Sequence, residues 1–246
     1  MSRQTILAAG SMLRILPKLL AEFFTKDLPE LELVFGPSGS LRAKIESGCP
    51  CNLFISATSV HTAELVNNQV LKSEGILGLN PTVLLHQSSH DITQHSALSW
   101  IANERYSLGL STTGLDPSAD EYEILTNIAK VTRHHSDSLK ARTRIITGGR
   151  ETPNAPLGRN QYGWIMETQN VDLLLTLQSN AIEAVEDNPR LRLCNLPKSV
   201  RVLEYYGVAL SHTANDELVE FYDWLIGDEG QEFLRACGFE RSTSIR

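Results

Sequence analysis

The chain reads as an α/β protein of two lobes, and three observations lead there. Short apolar runs alternate with amphipathic stretches from the first residues onward, which is the signature of βαβ units and a parallel sheet. The pattern stops at a polar, aperiodic stretch, Gln87 to Ser96, and then restarts. The length of 246 residues suits two lobes of roughly 100–150 residues each.

Thr5 to Ala8 reads as the first strand. Ser11 then opens a helical pattern in which Leu13, Leu16, Leu20, Phe23 and Phe24 recur near a 3.6 period. Pro17 lies inside this segment and is expected to kink it or shorten its first part. Leu31 to Phe35 alternates as a second strand, and Gly36-Pro-Ser-Gly-Ser40 is a turn. A helix is expected from about Ser40 to Ser47, closed by Gly48. Asn52 to Ser56 is a third strand, followed by a helix from about Ser59 to Val70. Pro81 to His86 looks like a strand leaving the first lobe.

The second lobe restarts with a strand at Ser107 to Ser111 and a helix at Asp120 to Val131. A strand at Arg144 to Thr147 and a helix at Gln161 to Thr168 come next. Strands at Val171 to Leu177 and Leu191 to Cys194 follow. Val202 to Leu210 is a further apolar run. Asn215 to Cys237 is an amphipathic helical pair broken at Gly227-Asp-Glu-Gly230. The last strand and these helices are expected to return to the first lobe. Lobe 1 is then residues 1–83 plus 206–246, and lobe 2 is 84–205, with two crossovers acting as a hinge beside a cleft.

Composition narrows the function. With 22 Lys plus Arg against 29 Asp plus Glu, the net charge is -7. No basic stripe is available for nucleic acid. A small oxyanion needs no net positive charge, because backbone N–H groups and hydroxyls can hold it. The sequence has neither an apolar run of about 18 residues nor the apolar region of a signal peptide near Met1. A periplasmic or extracytoplasmic location therefore requires a leader already removed; otherwise the cytoplasm is expected.

Two positions share one physical logic. Ser11 follows the first strand, and Ser38 with Ser40 follows the second. The carboxyl ends of strands in an open α/β sheet face the ligand crevice. Helix N-termini there carry unpaired N–H groups and about half a positive charge. Each serine is either a plain N-cap, stabilising its helix by about 1 kcal/mol, or an anion donor, and the two roles are compatible. Arg159, in a Gly- and Pro-rich loop, is either a fork donor to an anion or a solvated loop arginine. Asp116 and Asp120 are helix caps or ligands to a metal. His86, His90, His95, His134 and His135 lie in polar stretches and read as solvated surface. Cys49, Cys51, Cys194 and Cys237 read as ordinary thiols, because no paired metal-ligand spacing is present. No motif of a hydrolase, nucleotide-binding or zinc enzyme occurs, so no catalytic residue is expected.

Leu7-Ala-Ala-Gly-Ser-Met12 resembles the first strand and helix start of the molybdate-binding proteins of bacterial ABC uptake transporters. Phe35-Gly-Pro-Ser-Gly-Ser-Leu41 and Ile45-Glu-Ser-Gly-Cys-Pro-Cys-Asn-Leu-Phe-Ile-Ser-Ala57 are similar to that family's second block. Gly158 to Trp164, Asp172 to Ala181, and Phe221 to Leu225 with Glu229 to Gln231 and Cys237 to Phe239 resemble later blocks. The resemblance implies a type II periplasmic-binding-protein fold: two Rossmann-like lobes, two hinge strands and a tetrahedral oxyanion in the cleft. It implies that Ser11 and Ser38 supply hydroxyls and that Ala119 supplies a backbone N–H. The family's tyrosine falls near Leu177 or Gln178, so Gln178 would donate through its amide instead. Cys49, Cys51 and Asn52 replace the usual residues of the second block, and Pro37 replaces a small polar residue. Molybdate or tungstate is the ligand this resemblance favours, with no cofactor and no metal held directly by side chains. The implied partner is a membrane permease, and the chain is expected to be a monomer. A cytosolic sensor or binder of an anion or carboxylate on the same fold is the alternative. An enzyme on a phosphate- or carboxylate-bearing metabolite is the third.

Overall fold

The computed structural model describes residues 3–25, 30–111, 122–147 and 152–242. The chain divides into two compact units, residues 1–80 with 204–246 and residues 81–203.

In unit 1, strand β1 (Gln4–Ala9) is buried at every position. It pairs in parallel with β2 (Leu31–Gly36) on one side and β3 (Leu53–Ser56) on the other. A central strand covered on both faces carries a continuous apolar run rather than an alternating one. Strand β9 (Leu203–Leu210) runs antiparallel to β3, with Ser56 opposite Gly207. The sheet is therefore mixed rather than purely parallel. β1 leads through a single 3-10 turn, Gly10–Met12, into α1 (Ile15–Phe23). The helix starts later than its apolar period suggests because Pro17 is tolerated only in a first turn. Leu13 falls outside the helix and is exposed.

Helix α2 (Ser38–Glu46) ends as its sequence dictates. Gly48 takes φ +91°, its N–H donates to Ile45 O and the Cys49 N–H to Lys44 O, each at 3.0 Å. That pair of bonds satisfies carbonyls the helix leaves unpaired, and only glycine adopts the conformation cheaply. Helix α3 (Ser59–Asn67) is capped by Thr58, which accepts from the Val60 N–H. Helices α9 (Asp216–Ile226) and α10 (Asp228–Ala236) complete this unit. Asn215 caps α9 and Asp216 and Glu217 fill its first turn, where carboxylates suit the helix dipole.

Strand β4 (Ser73–Gln87) is 15 residues long and changes unit after Asn80. Its first half is not apparent in the sequence, because Gly75, Gly78 and Asn80 interrupt the apolar run. In unit 2, β4 lies antiparallel to β7 (Leu173–Leu177) and to β8 (Leu191–Asn195). Strand β5 (Leu108–Ser111) is parallel to both β6 (Thr143–Thr147) and β7. Helices α4 (Ala97–Ala102), α5 (Glu123–Thr132) and α6 (Ser136–Arg142) pack a core of Leu84, Leu108, Leu125, Ile128 and Leu173 on one face. Helices α7 (Gln161–Thr168) and α8 (Gln178–Asp187) cover the other, around Ile165, Met166, Leu174 and Ala181. The short helices α4 and α6, and α8 with its weakly apolar sequence, are the elements the periodicity does not reveal.

Candidate functional site

β1, β2 and β3 are parallel, so their carboxyl ends lie along one edge of the unit 1 sheet, with Ala9 opposite Gly36 and Ala8 opposite Ile55. Ser11, Ser38 and Ala57 follow those ends directly. Neither serine is a side-chain N-cap. The cap position before the 3-10 turn is Ala9 and that of α2 is Pro37, and neither makes a side-chain capping bond. Ser38 instead sits one residue inside α2, where its Oγ accepts the Ala57 N–H at 3.0 Å. Ser11 Oγ lies 2.8 Å from the hydroxyl of Tyr206 on β9. Both serines are half-buried, whereas Tyr206 is fully buried. Arg42, on α2, is committed to Glu46 at 2.9 Å and also pairs with Glu64.

Unit 2 carries a second polar group at the ends of β5, β6 and β7. Ser111 Oγ and Thr176 Oγ1 are 2.9 Å apart. Asn180, in the first turn of α8, donates through Nδ2 to the Tyr162 hydroxyl at 2.8 Å. Tyr162 stands in the first turn of α7, which Asn160 caps by accepting the N–H groups of Tyr162 and Gly163 at 2.9 and 3.0 Å. The two helices meet closely because residue 163 is glycine. A Cβ there would come within 2.8 Å of Asp187 Oδ2 and 3.2 Å of the Ala184 carbonyl. Burial pushes the Tyr162 phenol up to about 12, against the lowering effect of the nearby Thr147, Ser111 and Asn180 side chains, and Glu183 adds to the rise. The phenol is therefore a neutral O–H donor at any physiological pH.

The expected site residues fall unevenly on this frame. Ser11 and Ser38 stand at neighbouring strand ends of unit 1. Gln178 is the first residue of α8 and half-buried. Ala119, Asp116 and Asp120 lie outside the described residues. Arg159, 37% of whose side chain is exposed, is a loop arginine already paired with two carboxylates rather than a free fork donor. Its Nε donates to Asp187 Oδ2 at 3.1 Å and its Nη2 to Glu167 Oε2 at 2.9 Å. Those two carboxylates raise its pKa and absorb its charge. Asp187 Oδ1 also accepts the Asn160 N–H at 3.0 Å, so the cluster braces the start of α7.

The histidines correct the surface reading. His86 is buried in β4, between Leu173 of β7 and Arg192 of β8. Burial lowers its pKa. His90 packs against Trp100 and Tyr106 at 5.0 and 5.2 Å between ring centroids, with Nε2 3.6 Å from Asp172 Oδ1. His95, His134 and His135 are exposed. The cysteines are free thiols, and burial pushes Cys51 up to about 12. Among the described residues no group of three or more His, Cys, Asp or Glu could hold a metal ion, and no helix is long and apolar enough to cross a membrane.

Sequence reasoning missed Tyr162, Asn180 and Tyr206. The signal for the first was present: Asn160, a good capping residue, stands two positions before the tyrosine and three before a glycine. Tyr206 carried none, because its partner is 195 residues away.

Residues 5–240 match the family described as bacterial extracellular solute-binding protein. A protein of Pasteurella multocida (strain Pm70), PM1146, is 29% identical over 238 residues, covering 95% of this chain and 97% of that one. The Azotobacter vinelandii periplasmic molybdate-binding protein matches with a TM-score of 0.68 at 16% identity, over 98% of this chain and all of that one. The sulfate-binding protein SubI of Mycobacterium tuberculosis H37Rv matches with a TM-score of 0.69 at 12% identity, over 99% of this chain and 88% of that one. The fold is that of the type II periplasmic binding proteins. One neighbour named for molybdate and one named for sulfate share it, so the fold alone does not choose a cargo.

Proposed function

Given that the chain belongs to the family of bacterial extracellular solute-binding proteins, we propose that it captures a small tetrahedral oxyanion, molybdate or tungstate first, for an ABC-type uptake transporter. It works outside the cytoplasm, hands its cargo to a membrane permease, and makes or breaks no bond.

The observation that carries this reading is the state of Ser38. Its oxygen already accepts a backbone N–H at 3.0 Å, so its own proton is available to an incoming acceptor. Ser11 stands at the adjacent strand end in the same condition if Tyr206 is its donor. The donors proposed in unit 1 are Ser11 and Ser38; those proposed in unit 2 are Gln178, the Ala119 N–H and the Tyr162 phenol. Tyr162 supplies the phenol that Leu177 and Gln178 do not. All of these are neutral donors, as an acceptor-only dianion requires. Arg159 is a brace for α7 in this reading, not a ligand. Molybdate and tungstate are preferred over sulfate by size rather than by charge.

The test is calorimetric titration and thermal melting with molybdate, tungstate, sulfate and phosphate. Ligand at a hundred times its Kd raises stability by about 2.7 kcal/mol. A rise with molybdate and tungstate well above that with sulfate supports the reading. Absence of any shift with all four ions removes it.

A further inference from the structure

We propose that Tyr206 is a positioning residue for the oxyanion: its phenol donates to Ser11 Oγ and so turns the Ser11 proton outward, toward the bound anion. The proposal rests on the reading of Ser11 as an oxyanion donor.

An ionised oxyanion offers only lone pairs, so a serine helps it only by donating. A serine hydroxyl has one proton and rotates to suit its surroundings. Unless its oxygen is held by a donor, that proton can be spent elsewhere. The two serines of unit 1 solve this differently. Ser38 Oγ faces the Ala57 N–H, a group that can only donate, so its proton direction is settled by the backbone. For Ser11, the group at 2.8 Å is the Tyr206 hydroxyl, and either oxygen can be the donor.

Three facts decide the direction once an anion is present. A phenol is the more acidic hydroxyl of the pair and the better donor. Tyr206 is fully buried, and its ring meets Phe239 edge-on at 5.1 Å and 85°, so its oxygen is held by the core rather than by solvent. The anion itself claims the Ser11 proton, which leaves Tyr206 to Ser11 to anion as the arrangement with every proton used. Chained hydroxyls of this kind polarise one another, and the bond to the anion gains from the bond behind it. Neighbouring Tyr205 is 46% exposed, so the alternation of β9 places one tyrosine inward and the other outward. Tyr206 thus does for Ser11 what the Ala57 N–H does for Ser38, through a side chain instead of the backbone.

A double-mutant cycle on the full chain tests this, with molybdate titrated calorimetrically and folding followed by circular dichroism and thermal melting. Tyr206→Phe is expected to weaken molybdate about tenfold, equal to about 1.4 kcal/mol. Ser11→Ala is expected to weaken it more, and adding Tyr206→Phe to Ser11→Ala to change it by less than about twofold. Ser11→Thr, which keeps a hydroxyl, is expected to restore most of the affinity. An equal loss from Tyr206→Phe in both backgrounds marks a structural role and overturns the proposal. So does full affinity in Tyr206→Phe, or full affinity in Ser11→Ala. Failure of the wild-type chain to bind molybdate, tungstate, sulfate or phosphate removes the oxyanion reading as well. Should Tyr206→Phe not fold, the wild-type protein still decides. The hydroxyl proton of Tyr206, slow to exchange in the core, should move downfield in the NMR spectrum on adding molybdate, and an unmoved signal overturns the proposal.

Discussion

The two units gather hydroxyls at the same place in their sheets but secure them by different means. In unit 1, Ser11 and Ser38 follow strand ends directly, and their oxygens are engaged by Tyr206 and by the Ala57 N–H. In unit 2, the phenol of Tyr162 reaches the strand ends from the first turn of α7, and Asn180 of α8 holds it. The first arrangement depends on residues next to the strands. The second depends on two helices brought together at Gly163 and braced by Asp187. A hydroxyl of the first kind can be recognised from its neighbours in sequence, and one of the second kind only from the packing that delivers it.

Removing the unit 1 hydroxyls is the strongest way to break this comparison. Ser11→Ala with Ser38→Ala should lower molybdate affinity at least about a hundredfold, since two hydrogen bonds to a charged group are lost at about 1.5–3 kcal/mol each. The ligand-free melting temperature should fall modestly, because the Ala57 N–H and the Tyr206 hydroxyl each lose a partner, and calorimetry with melting curves checks both. The unit 2 phenol is expected to matter less. Tyr162→Phe should weaken molybdate about tenfold in the same titration, because one neutral donor goes while the helix packing stays.

The brace sharpens the contrast through stability. Asp187→Ala should cost about 2 kcal/mol in urea unfolding, because the Asn160 N–H and the Arg159 guanidinium lose a largely buried acceptor. Affinity should fall with it, since α7 carries Tyr162. A smaller effect belongs to two histidines, the half-buried His61 in unit 1 and the buried His86 in unit 2, whose pKa values desolvation lowers below 6.5. For each, the unfolded chain binds more protons than the folded one between the folded value and 6.5. Stability is therefore full above that window and is lost as pH falls through it. His86→Leu should flatten part of the decline in melting temperature between pH 7 and 5. The smallest change is expected from Arg159→Ala, which should leave molybdate affinity within about twofold; a large loss would return Arg159 to the donors proposed in unit 2.

Much of the frame was legible from periodicity alone. The buried run of β1, the alternating β2, the helix at Gln161–Thr168 and the terminal helix pair broken near Gly227 all follow local rules. So did the placing of Ser11 and Ser38 at strand ends, though not their bonding, since both were also read as caps and neither is one. The exposed Leu13, the buried His86 and the first half of β4 went the other way. In each, the local pattern was overruled by what neighbouring segments cover.

The sequence by itself determined the α/β class, the βαβ order and the two serines at strand ends, because periodicity, glycine and proline chemistry act over a few residues. It also carried enough family likeness to suggest a solute-binding protein. Only the tertiary structure decided which partner each hydroxyl meets. Tyr206 comes to Ser11 across 195 residues, Asn180 comes to Tyr162 across 18, and Arg159 is taken by Asp187 across 28. Such pairings are set by sheet order and helix packing, where a single buried contact outweighs the preference of the residues beside it.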